Sequence, residues 1–216
     1  MPLPGTANTI AFYYKYIGEN AHLYNGSEHG PYDFRIVGHP YYVSNLLQPG
    51  YVSYDGTLYS HVNIALDIVR DELTINRFNN NFRMRLATEK VSYFSLLNHF
   101  FVRLVMDSTK QSLLTTGFYD RLFNGRIKFY VKRHKKIEES ATPEEGDKLW
   151  FTENDLFYIC LKDKYYPVKN KKELFDIFKD RKKDLKKFMR KNRLDFKDDP
   201  EVTILRLVEY CNQLMN

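Results

Sequence analysis

The sequence predicts an α+β protein: an antiparallel β-meander curled into an open or closed barrel-like sheet, with a short N-terminal helix and a C-terminal helical hairpin. Three observations carry this expectation. Aromatic residues fill 16% of the 216 positions, with 17 Tyr and 16 Phe, a usage that favours strands. Short alternating apolar runs, separated by turn dipeptides, recur between Tyr51 and Val168. Charge then changes abruptly: residues 169–199 hold 13 Lys/Arg against 7 Asp/Glu, the whole of the chain's net +6, leaving 20 of each sign elsewhere. The reading divides the chain into a mainly β domain, residues 1–168, and a basic helical hairpin, residues 169–216, packed on the sheet.

Each element follows from a local pattern. Ile10, Tyr13, Tyr14 and Ile17 are spaced for one short amphipathic helix over residues 9–17, ended by Gly18. Residues 23–49 are punctuated by Asn25-Gly26, His29-Gly30-Pro31 and Gly38-His39-Pro40, which predicts short strands and ordered loop. Residues 51–59 read as a hairpin about Asp55-Gly56, a dipeptide suited to paired positive φ values. Strands are expected over 64–69, 73–78, 82–87, 91–97 and 100–105, with Asn79, Asn80 and Asn81 turning the chain. A second hairpin joins 118–123 to 126–131 through Asn124-Gly125. The polar stretch 135–147 reads as exposed loop, and strands over 149–151, 157–161 and 165–168 complete the sheet.

The last 48 residues change period. Asn170 is placed to cap a helix over about 171–191, with Leu174, Ile177, Phe178, Leu185, Phe188 and Met189 on one stripe. Its opposite face carries Lys182, Lys183, Lys186, Lys187 and Arg190, a candidate surface for an anionic partner. Asp176, Asp180 and Asp184 recur at four-residue intervals, so a solvated helix laced with ion pairs is the competing expectation. Asp199-Pro200-Glu201 starts a final helix with Val202, Leu205, Val208, Cys211 and Leu214 or Met215 on its buried side. Cys160 and Cys211 read as buried free thiols, a bridge requiring that last helix to pack on the Cys160 strand.

Candidate site residues concentrate in the turn-rich loop. His29, Asp33, Arg35, His39, Tyr41 and Tyr42 form the densest polar and aromatic group, expected to contact a ligand. Their spacing fits no compact metal motif, so no metal and no cofactor is expected. Asp67 and Asp71, beside Arg70 and Glu72, would share one face of a regular strand and offer paired carboxylates, but the stronger reading has them flank a turn or an edge strand whose charges deter edge pairing. The chain contains no Gly-x-Ser-x-Gly elbow, phosphate-cradling loop or dinucleotide fingerprint. The leading expectation is therefore a non-enzymatic protein that binds a partner or ligand through its aromatic sheet and loop surface. The alternatives are a hydrolase using Asp33/His39 or Asp67/Asp71, and binding of anionic polymers by the basic helix.

Several segments add a resemblance: Leu23-Tyr24-Asn25-Gly26, Gly38-His39-Pro40-Tyr41-Tyr42, Tyr54-Asp55-Gly56-Thr57-Leu58-Tyr59 and Asp67-Ile68-Val69-Arg70-Asp71-Glu72. Gly117-Phe118-Tyr119, Asn124-Gly125, Phe178-Lys179-Asp180-Arg181-Lys182-Lys183 and Phe188-Met189-Arg190-Lys191-Asn192 extend it. In that order they resemble an uncharacterised family of exported proteins from Bacteroidota. The resemblance implies a periplasmic, outer-membrane-associated or extracellular location and a protein or small-molecule partner in the envelope; it implies no activity. Residues 1–5 carry no export signal, which keeps a cytoplasmic location as the alternative. No apolar run is long enough to span a bilayer, and nucleic acid is not an expected partner.

Overall fold

A computed structural model of the chain describes residue 23 and residues 26–76, 82–106, 114–142 and 146–215. The helix expected over residues 9–17 and the turn at 79–81 lie outside these. The fold is α+β, mostly antiparallel sheet, and its strand order is open rather than closed. The first seven strands are β1 (Ser27–Glu28), β2 (Ile36–Val37), β3 (Gln48–Tyr54), β4 (Thr57–Asp67), β5 (Glu72–Asn76), β6 (Arg83–Arg85) and β7 (Val91–Leu96). Then come β8 (His99–Leu104), β9 (Gly117–Asn124), β10 (Ile127–Lys132), β11 (Lys135–Thr142), β12 (Gly146–Glu153), β13 (Leu156–Leu161) and β14 (Lys164–Pro167). Three α-helices follow: α1 (Lys171–Ile177), α2 (Lys182–Lys191) and α3 (Pro200–Leu214).

The chain forms two compact units. One holds the described residues up to Leu97 together with Glu139–Trp150; the other holds Asn98–Glu138 and the residues from Phe151 onward. In the first, the strands run β1-β6-β5-β4-β3-β7, each pair antiparallel. Asp55 (φ 51°) and Gly56 (φ 77°) make the tight turn between β3 and β4 that their sequence requires. Buried Val52, Tyr54, Ile64, Leu66, Leu73, Ile75, Phe94 and Leu96 alternate along their strands. Gly50 permits close approach of β3 to β7, because a Cβ there would lie 2.2 Å from the Ser95 carbonyl oxygen. His61, at φ 59°, is the extra residue where the β3–β4 register shifts, a bulge with no glycine to announce it.

The loop expected over residues 135–147 is instead strand. β11 and β12 belong to a three-stranded sheet in which β12 runs parallel to β2, with Leu149 opposite Ile36 and Trp150 opposite Val37. Backbone pairing and polar contacts, such as Lys135 Nζ to Glu153 at 3.4 Å, replace the apolar alternation on which strand recognition depends.

In the second unit the order is β8-β9-β10-β13-β14, again antiparallel. One sheet face presents Ile127, Phe129, Val131 and Ile159 to the helices. The other carries Tyr119, Tyr130, Tyr158 and Cys160. Cys160 and Cys211 are both free and buried, and they belong to these different clusters on opposite faces of the sheet. A bridge between them is thereby excluded. Burial raises both thiols, Cys211 to about 11.

The expected helix over about 171–191 is broken. Buried Phe178 leaves helical geometry (φ −110°, ψ 47°), a short 3-10 turn covers Lys179–Arg181, and α2 begins at Lys182. A continuous helix would turn Arg181 or Lys182 toward the core, where the stripe needs an apolar residue. α2 buries Leu185 and Met189 and stacks Phe188 on Tyr210 of α3 at 4.2 Å. α3 starts where the sequence predicts, with the Asp199 carboxylate accepting from the Val202 amide at 2.9 Å. Its buried stripe is rotated from the expected one: Ile204, Leu207, Val208 and Cys211 are buried, whereas Val202 is 43% exposed. Burying each such aliphatic side chain stabilises by about 1.5–3 kcal/mol. The cap contributes about 1 kcal/mol, so packing sets the helix's orientation. Among the described residues, no helix is long and apolar enough to cross a membrane.

Candidate functional site

The structure splits the predicted loop site. His29 and Tyr32 turn inward onto Asp67 at the end of β4, a residue the sequence places in a different group. His29 Nε2 lies 2.9 Å from Asp67 Oδ2, and the Tyr32 hydroxyl donates to both carboxylate oxygens at 2.8 and 3.1 Å. The backbone amides of Val69 and Arg70 donate to Oδ1 at 2.9 Å each, folding the turn that follows β4 around the carboxylate. Burial raises the Asp67 pKa, but the bonds from His29, Arg70, Tyr32 and Val69 outweigh it and the net direction is down. Tyr32 is driven well above its usual range by burial and by its bond to Asp67.

Tyr41 and Tyr42 lie alongside. Tyr41 forms a β-bridge with Asp67, and the Tyr42 amide donates to the Leu66 carbonyl at 2.9 Å. The rings of His29 and His39 stand 6.0 and 6.4 Å from that of Tyr41, and the Arg83 guanidinium lies 4.1 Å over it. Asp33 and Arg35 separate from this group. They form an exposed local pair at 2.6 Å, and Arg35 holds the Asp33 carboxyl down to about 2. Asp71 sits in the turn after β4 at φ 59°, so Asp67 and Asp71 flank a turn, as the stronger of the two sequence readings expects, and do not share a strand face. With four donors on Asp67, this cluster does the work of anchoring the 29–42 loop against β4.

The second unit contains a charged network that the sequence did not reveal. Asp120 on β9 is fully buried; its Oδ2 receives His99 Nδ1 at 2.7 Å and Arg133 at 2.7 and 3.0 Å. Arg133 also donates to Asp155 at 2.7 Å and to Glu201 of α3 at 2.5 Å. Burial raises the Asp155 pKa despite Arg133 beside it. These residues span 103 positions, and no spacing rule connects them. Among the described side chains, no group of three His, Cys, Asp or Glu is arranged to hold a metal ion.

The basic helix is the other predicted surface. Lys182, Lys183, Lys186, Lys187 and Arg190 all project to solvent from α2. Among the described residues, none of these five has a carboxylate within salt-bridge distance, although Asp184 is exposed on the same helix. Asp180 falls in the 3-10 turn, where the break displaces it from the four-residue register that would have set it beside Asp184. The helix carries a surplus of exposed cations over the exposed Asp184, while Leu185 and Met189 fix it from behind.

No protein-family model matches this chain, and neither the curated proteins nor the solved structures contain a match.

Proposed function

We propose that the protein is a non-enzymatic envelope protein that binds an anionic polymeric partner through the exposed face of α2. The observation that supports this reading is the set of five solvent-facing cations on α2 with no carboxylate within salt-bridge distance among the described residues. Such charges are held ready for an external anion, and their attraction reaches about 8–10 Å at moderate salt. On this reading α2 and α3 act as a helical hairpin, α3 tying the basic helix to the sheet through Phe188, Tyr210 and the shared core. Hydrolysis is less well supported, since Asp67 is occupied by anchoring bonds and Asp33 is spent on Arg35. The envelope location rests on the resemblance to exported proteins.

The test is titration of the full chain with dextran sulfate at several salt concentrations. Binding should weaken steeply between about 50 and 200 mM salt, as expected when several counterions are released. Combining Lys182→Glu, Lys183→Glu, Lys186→Glu and Lys187→Glu should reduce affinity by at least about tenfold. Binding that ignores salt, or that survives the fourfold variant, would overturn the reading.

A further inference from the structure

A cleft of about 1170 Å³ opens within the second unit, lined in part by Asp155. It lies where the turn into β13, the end of β14, the start of α1 and the segment between α2 and α3 converge. Its floor is apolar: Leu156, Phe157, Val168 and Phe196 line it, and Leu156 remains 38% exposed although it belongs to a strand. Its rim carries Lys169, Lys171, Lys172 and Lys197, all exposed, against the carboxylates of Asp155 and Asp195. Asp155 is already held by Arg133 and by the His134 amide, and Asp195 accepts from the Lys197 amide at 2.9 Å. The lysines thus outnumber the acids, and the acids have partners of their own.

We infer that this cleft binds a small amphipathic anion, with an apolar or aromatic body on the Leu156–Phe157–Phe196 floor and a carboxylate, sulfonate or phosphate at the lysine rim. A concave, mostly apolar surface with a few polar groups at its edge is the usual form of a small-molecule site, and this cleft is an open one. The volume exceeds the usual range of about 300–1,000 Å³, which suits a bulky hydrophobic body. Four lysines line the cleft against two carboxylates, one of which is paired with Arg133, so the surplus positive charge selects an anion over a neutral ligand. This site stands independently of the α2 surface, because none of the five α2 cations lines it.

The test uses 8-anilinonaphthalene-1-sulfonate with the full-length native protein, followed by competition with decanoate and with decanol. Saturable binding at one site is expected, with displacement by decanoate and at least about tenfold weaker displacement by decanol. Combining Lys169→Glu with Lys197→Glu should weaken the probe by about tenfold, and Leu156→Asp should weaken it independently. Unchanged urea midpoints for the lysine variant would show that its fold is intact; Lys186→Glu with Lys187→Glu should leave the probe's affinity unchanged. The inference is overturned if the probe does not bind, if the cleft variants bind it normally, or if decanol competes as well as decanoate.

Discussion

Among the described residues each unit buries one carboxylate completely, and the two are compensated by different physics. Asp67 distributes its contacts over both oxygens: a histidine, a tyrosine hydroxyl and two backbone amides. Asp120 concentrates His99 and Arg133 on one oxygen, and its Oδ1 is buried with no hydrogen-bond partner. The first arrangement works by hydrogen bonding and folds a local turn. The second works by formal charge and ties β9, β10, the turn before β13 and α3 to one guanidinium. Removing a partner should therefore leave a missing hydrogen bond in one unit and an uncompensated buried charge in the other.

The largest effect follows from that contrast. Arg133→Met leaves buried Asp120 with His99 alone and should destabilise by about 3–5 kcal/mol, read as a fall in the urea midpoint. Adding Asp120→Asn to Arg133→Met should recover part of the loss, because the stranded charge is then gone. A loss below about 1 kcal/mol, or a double variant worse than the sum of its parts, would show that charge compensation is not what Arg133 provides. In the first unit, Tyr32→Phe removes the hydroxyl from Asp67 and leaves the other donors in place. Its expected loss is about 1.5 kcal/mol, the lower end for a hydrogen bond to a charged group. Equal losses from Tyr32→Phe and Arg133→Met would erase the distinction between the two sites.

The same contrast explains what the sequence made legible. Asp55-Gly56 announced its turn because that chemistry is local, and alternating aliphatic and aromatic residues announced β4, β5, β7 and β10. Lys162 takes φ 51° to join β13 to β14, and Leu97 takes the same value, neither being a residue type that signals left-handed geometry. Asn124-Gly125 marked a real hairpin, but Gly125 has a different role from the one expected. A Cβ there would lie 2.5 Å from the Asn212 side chain of α3, which also accepts from the Arg126 amide. His29 and Asp67 were each visible as candidates, yet 38 residues separate them and only the fold joins them. Arg133 had no local signal at all, since its partners lie 13, 22 and 68 positions away. Periodicity reports which way a side chain faces; it does not report what waits on the other side.

The smallest effect, and the sharpest comparison, is in the pH dependence of stability. Asp67 has a lowered pKa in the folded protein, so its stabilisation is present above the unfolded value of about 3.9 and is lost as pH falls through the folded value. Asp155 has a raised pKa because burial outweighs Arg133. The folded state then holds its proton more tightly, and wild-type stability gains as pH falls from the folded value toward about 3.9. The two variants Asp67→Asn and Asp155→Asn should accordingly move in opposite directions relative to wild type when urea midpoints are followed from about pH 7 to about pH 3. The deficit of Asp67→Asn should shrink at the acid end, because wild type is losing the same contribution there. Wild type should instead gain on Asp155→Asn over the descent, whatever their order at neutral pH, because protonation relieves the buried carboxylate that the variant lacks. Parallel slopes would mean that both carboxylates are governed by the same balance, and would remove the electrostatic basis for treating the two sites as different.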